Sequence, residues 1–169
     1  MPVVHRIEIS GPSGREVAVI WNVEASVGRP HGTNRSMDAM LVQFLLFDGE
    51  FCDQGDIDGS WGPRSQSFLK EFEKTFSGPT STPIECLGVK QDGIVDRMRP
   101  GQKSGSISGL EYKMNLLNRM YVKKRKKSPT AQASGVEVTD ITMDIMVNDP
   151  NMPKVLQTEL KKQRDAAGL

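Results

Sequence analysis

The sequence predicts an α+β protein: a central three-helix bundle with an N-terminal β-hairpin, a C-terminal strand segment and a short C-terminal helix. Three observations point there. Apolar residues alternate near the N terminus, they recur at three- and four-residue spacing in three internal segments, and Gly- and Pro-rich passages separate these runs. The chain has 169 residues, 22 Lys plus Arg against 21 Asp plus Glu, and a 37% hydrophobic fraction, enough to bury a core in one principal domain. A net charge of +1 provides no whole-molecule field toward nucleic acid or an anionic membrane, so nucleic acid is not an expected partner. No run approaches the roughly 18 consecutive apolar residues of a membrane span. Arg6 and Glu8 interrupt the start where a secretory signal needs about 7 to 15 apolar residues. The expectation is a chain made in the cytoplasm, without a standard signal peptide.

The segments VHRIEIS and REVAVIW flank Gly11-Pro12-Ser13-Gly14, and Val17, Val19 and Trp21 sit two apart, which reads as a hairpin with a short turn. In Ser26 to Thr33 the glycines and Pro30 argue against a regular element and for a connector. Met37, Met40, Leu41, Phe44 and Leu45 then follow i, i+3, i+4, i+7, i+8, an apolar stripe on a first helix. Ser36 is its expected N-cap and Asp38 suits the positive dipole end. Gly49 is expected to stop it in the left-handed conformation.

After a polar loop, Pro63 opens a second helix, because its fixed φ and missing N–H suit the first helical position. Phe68, Leu69, Phe72 and Phe76 form its apolar face, and Ser77-Gly78-Pro79 ends it. Residues 79–106 read as irregular, a passage of the kind that is either functional or poorly ordered. Ser108-Gly109-Leu110-Glu111 has the S-x-x-E spacing of a capping box, and Leu110, Met114, Leu117 and Tyr121, beside Leu116 and Met120, stripe a third helix.

Beyond Lys123 to Lys127 and the linker SPTAQASG, Val136, Val138, Ile141, Met143, Ile145 and Val147 alternate with a one-residue slip near Thr139-Asp140. That suits a bulged strand, or two short ones, expected to pair with the hairpin. Lys154 to Ala167 reads as a charged helix with Val155, Leu156 and Leu160 in a thin stripe, either docked or partner-binding. The organisation is then a hairpin at 1–25, a helical domain at 26–122, a basic linker at 123–135 and a strand plus tail helix at 136–169.

Asp58-Gly59-Ser60-Trp61-Gly62-Pro63-Arg64-Ser65, leading into a helix that ends EFEKTF, resembles the peptidoglycan-binding domain found beside many bacterial cell-wall hydrolases. Asn34 before MDAMLVQFLLF is similar to that family's first helix, and Asp92-Gly93-Ile94-Val95-Asp96 resembles its internal repeat DGIVGP, with Asp96 in place of a glycine. The segment SISGLEYKMNLLNRMY matches the place of its last helix. The resemblance covers residues 26–122. It leaves out the hairpin, everything after the basic run, and the long insertion between the second and third helices. It implies a three-helix bundle that recognises peptidoglycan without catalysis, with Asp58, Trp61, Arg64 and Asp92 as ligand candidates and Trp61 stacking on sugar rings or holding a stem peptide. Turn and cap chemistry alone also accounts for the motif, since Asp58 can bond nearby amides, Gly59 can take positive φ and Trp61 can bury its ring.

Other constellations are sparse. His5 and His31 are expected at the surface, and with Cys52 and Cys86 they lack the close spacings of a zinc site. Both cysteines are expected as free thiols. Asp53, Asp56 and Asp58 recur on a loop, but without EF-hand spacing, so turn and cap roles are expected rather than calcium binding. No metal, cofactor or catalytic set is expected. Lys123, Lys124, Arg125, Lys126 and Lys127 form the one concentrated basic patch, for which a place at the negative end of the third helix is sufficient reason. Contact with nucleic acid or with anionic wall polymers, at salt-sensitive affinity, is the functional alternative. The expected partner is peptidoglycan or another wall polymer. The alternative is a structural component of a phage tail, baseplate or contractile injection particle, whose partners are neighbouring protein chains.

Overall fold

The structure, a computed structural model, describes residues 1–11, 14–82, 84–126 and 144–169. It is an α+β fold in which, among the described residues, four helices combine with small two-stranded antiparallel sheets. The alternating N terminus forms the expected hairpin: β1 (Val3–Gly11) pairs with β2 (Gly14–Asn22), from Val3 opposite Asn22 to Gly11 opposite Gly14. The following passage is not wholly irregular. Val27–Gly28 is a two-residue strand, β3, whose antiparallel partner is β4 (Ile94–Val95).

Helix α1 (Ser36–Asp48) is the hub, packed against α2 (Pro63–Thr75), α3 (Lys113–Lys126) and α4 (Lys154–Ala166). One stripe was expected, yet every residue from Asp38 to Leu46 is buried. MLVQFLLF is apolar all round, which is the composition of a helix covered on every side. Both ends differ from expectation as well. Ser36 is already helical, and Arg35 precedes it without a side-chain cap. Gly49 is right-handed, at φ −75°, and Glu50 takes the left-handed position at φ +70°. Glu50 N–H then reaches Phe47 O at 2.9 Å and Phe51 N–H reaches Leu46 O at 2.9 Å, the paired bonds of a Schellman ending. Gly49 sits in a tight place instead: a Cβ there would lie 3.1 Å from the Phe51 ring and 3.2 Å from the end of the Met120 side chain, so both would have to give by a few tenths of an ångström.

Helix α2 starts on Pro63 as expected and buries Leu69 and Phe72, with Phe76 just beyond its end. Phe51 meets Phe72 edge-on at 5.5 Å, and Phe72 lies 5.2 Å from Phe76. The described residues of the passage 79–106 are mostly irregular, as expected, apart from β4 and a bridge between Thr80 and Cys86. The passage sends Ile84, Cys86, Val89, Val95 and Met98 into the core. The expected capping box is a hairpin turn: Ser108 (φ +51°) and Gly109 (φ +77°) join β5 (Ser106–Ile107) to β6 (Leu110–Glu111). Two successive positive φ values are what a tight type I′ turn requires. Helix α3 therefore begins later, at Lys113; Leu110 is exposed, while Met114, Leu116, Leu117 and Tyr121 are buried.

The strand expected from Val136 to Met143 lies outside the described residues. Where the same expectation reached described residues it fails, because Met146–Asn148 is a 3-10 turn that buries Met146 and Val147. The tail helix is docked, with α4 packed on β1 and α1 and Leu156 and Leu160 fully buried. Val155 faces solvent instead of completing the stripe. No helix among the described residues is long and apolar enough to cross a membrane.

Candidate functional site

The two Asp-Gly segments build one turn twice. Asp58 Oδ1 accepts the Ser60 N–H at 2.8 Å, and Asp92 Oδ1 accepts the Ile94 N–H at 3.1 Å, so each aspartate closes a local turn two residues on. The glycine between takes φ +75° at Gly59 and φ +72° at Gly93, the left-handed region that a side chain resists. Each glycine N–H then meets a side chain from the preceding helix: Gln43 Oε1 of α1 at 2.8 Å for Gly59, Glu73 Oε1 of α2 at 2.9 Å for Gly93.

The two differ in charge. Gln43 is neutral and also donates from Nε2 to Asp58 Oδ1 at 3.0 Å and to Ser60 O at 2.9 Å. Glu73 is buried and carries a charge that Lys113 matches, with Nζ 2.9 Å from Glu73 Oε1 and 2.7 Å from Asp92 Oδ1. Burial works against ionisation of Asp92, but the hydrogen bonds from Lys113 and Lys90 outweigh it and hold the carboxyl below its usual range. Gln43, Glu73 and Lys113 were not singled out from the sequence. A polar residue inside MLVQFLLF was the available signal for Gln43; nothing comparable marks Glu73 or Lys113.

Trp61 sits between the turns. Its ring is 8% exposed, and its Nε1–H donates to Gln66 Oε1 at 2.9 Å, while Gln66 Nε2 donates to Gly93 O at 2.8 Å. Gln66 thus ties the tryptophan of the first motif to the glycine of the second. Arg64 points outward: its side chain is 71% exposed, its guanidinium pairs with Asp56 and it lies 5.5 Å from the centre of the Phe68 ring. The hydrogen bond from Arg64 holds the Asp56 carboxyl below its usual range.

The basic run divides. Lys123, Lys124, Arg125 and Lys126 belong to α3 rather than to a linker, and Lys127 lies outside the described residues. Their partners include more than the end of their own helix. Lys124 Nζ caps Asp48 O at 2.9 Å at the end of α1, and Arg125 bridges Asp48 Oδ1 at 2.8 Å and Asp149 Oδ2 at 2.6 Å. Arg125 also covers the Tyr121 ring at 3.2 Å, and Tyr121 Oη donates to the same Asp149 oxygen at 2.8 Å. Two of the five cations therefore join α1, α3 and the approach to α4.

His5 is buried and shares a 2.8 Å hydrogen bond with Gln102 O, contrary to the surface position expected; His31 is exposed. Cys52 and Cys86 are free thiols. Burial pushes the Cys52 thiol up to about 12, and burial also raises Cys86. Asp53 and Asp56 close a 3-10 turn (Gln54–Asp56), with Asp53 N–H donating to Asp56 Oδ2 at 3.0 Å. Among the described residues no group of three or more His, Cys, Asp or Glu is placed to hold a metal ion. No protein-family model, curated protein or solved structure matches this chain.

Proposed function

We propose that the chain is a non-catalytic assembly module, a peptidoglycan-binding-type bundle of α1, α2 and α3 reused as a structural component of a phage tail, baseplate or contractile injection particle. The observation that carries this reading is the internal use of the motif side chains. Trp61 has its ring buried and its indole N–H bonded to Gln66, Asp58 is held by Ser60 and Gln43, and Asp92 is held by Ile94 and Lys113. A wall groove needs such groups open to sugar hydroxyls and stem-peptide amides; in this chain they stabilise the fold. Fold resemblance and retained ligand are separate matters.

The test is sedimentation of the purified chain with peptidoglycan sacculi at low and moderate salt, beside a folded Trp61→Ala variant. The assembly reading expects the chain to stay in the supernatant at moderate salt, with any low-salt retention removed as ions screen the basic residues. Retention that survives moderate salt and disappears in Trp61→Ala would overturn it in favour of wall binding. One observation favours that second reading: the two Asp-Gly turns repeat each other's geometry, as the resemblance implies, and Arg64 keeps an exposed guanidinium beside them.

A further inference from the structure

The second Asp-Gly turn holds more than a turn needs. At the first turn the neutral Gln43 satisfies the Gly59 N–H; at the second, Glu73 takes that place and brings a buried charge, which costs stability unless it is matched. The match is Lys113, the first residue of α3, an end at which the helix dipole favours an anion over a cation. The Lys113 and Glu73 side chains are 5% and 4% exposed, and that of Asp92 is 20% exposed.

Lys113 Nζ meets three acceptors: Asp92 Oδ1 at 2.7 Å, Glu73 Oε1 at 2.9 Å and Ile94 O at 2.5 Å. A carboxyl carbon–oxygen bond is about 1.2 Å, so Nζ lies within about 4 Å of Asp92 Cγ, near the separation from which a bond can form. The carboxylate is fixed at both oxygens. The Ile94 N–H donates to Oδ1 at 3.1 Å, and Lys90 Nζ, on an exposed side chain, lies 2.9 Å from Oδ2. An amine, a carboxyl carbon held against it, a second carboxylate touching the amine and a cation on the far oxygen are the parts of an amide condensation.

We propose that Lys113 and Asp92 join in a side-chain amide, with Glu73 carrying a proton and Lys90 holding the charge on Oδ2. Lys113 Nζ passes one proton to Asp92 Oδ1 and a second to Glu73 Oε1, and its freed lone pair forms the Nζ–Cγ bond. The Cγ–Oδ1 bond then breaks, and Oδ1 leaves as water with both protons, Glu73 returning the one it held. Oδ2 remains as the amide oxygen, and the third ammonium hydrogen stays on nitrogen. The condensation needs no oxidant or other reactant. The new bond ties the turn before β4 to the start of α3 and closes the passage between them into a covalent loop that persists when the fold is pulled or denatured. The unlinked chain keeps Asp92 as a titrating carboxylate; the linked chain does not. The inference is independent of the assembly reading.

Mass spectrometry of the purified full chain tests the proposal. The linked chain is lighter than its sequence mass by one water, and trypsin should release residues 91–97 joined to residues 104–119, because an amidated Lys113 no longer offers the protease a cation. Lys113→Arg should restore the full mass and release residues 91–97 as a separate peptide. In chain freshly made by cell-free synthesis, Glu73→Gln should slow the loss of water about a hundred-fold. Lys90→Ala, at an exposed position that does not endanger folding, should slow it about ten-fold. A chain that keeps its sequence mass after a week at neutral pH, with residues 91–97 released unlinked, would overturn the proposal. Loss of water with residues 91–97 still separate would place a cyclic imide at Asp92-Gly93 and overturn it too. Linking at an unchanged rate in Glu73→Gln would overturn the role given to Glu73.

Discussion

Three asparagines do the work of missing strands. Asn34 accepts the Gly28 N–H at 2.7 Å and donates back to Gly28 O at 3.1 Å; Asn118 does the same for Trp21, and Asn22 for Met98. A carboxamide has one acceptor and one donor in the spacing of a peptide unit, so it can close a short edge where no backbone fits. Replacing Asn118 by Leu leaves two buried backbone groups unmet, and chemical denaturation should show a loss of about 2–4 kcal/mol. Glu50 illustrates the opposite case, a residue carrying strain. Its left-handed φ of +70° disfavours any side chain, and its ion pair with Lys124, at 3.3 Å, is exposed. Glu50→Gly should therefore stabilise the protein by about 1 kcal/mol and raise its Tm. Cys52 gives a third test at this scale. With its thiol held up at about 12, iodoacetamide at pH 8 should alkylate it in the folded protein more than about a hundred-fold slower than after unfolding.

At the scale of elements, the paired turns explain why α1 and α2 each carry one inward polar side chain. Gln43 and Glu73 hold the glycine N–H of the turn that follows their own helix, so each helix positions its own exit. The second unit is ionic and consequently sensitive to acid. Asp92 is held below its usual range in the folded protein; its stabilisation is present above the unfolded-state value, near pH 4, and is lost as pH falls through the lower folded value. Asp92→Asn should accordingly show a shallower fall in urea midpoint between about pH 5 and pH 2 than the unlinked parent chain, even if less stable at pH 7. The elements themselves were legible where periodicity was local. The hairpin, the Pro63 start and the buried Phe72 face follow from spacing and from proline's fixed φ. The start of α3 was misread because Ser108-Gly109 fits two local roles, a cap and a tight hairpin turn. Pairing of β5 with β6 and the Glu111 contact with Gly88 selected the second.

At the scale of the molecule, one core takes side chains from the hairpin, all four helices and the 79–106 passage. Arg125 links the ends of α1 and α3 to Asp149 just before α4, which makes the tail helix part of the same unit. Leu156→Ala should cost about 2–5 kcal/mol, as expected for a fully buried leucine, and thermal unfolding followed by circular dichroism and by tryptophan fluorescence should still coincide in one transition. A tail that melted separately would contradict this. The amino-acid order determined the class, the hairpin, the position of α2 and the two Asp-Gly turns, because each depends on backbone preferences acting over a few residues. The all-round burial of α1, the partners of Arg125 and the buried state of Trp61 depend on contacts between residues tens of positions apart. Periodicity carries no record of such contacts, and they arise only when the helices and the hairpin close on one another.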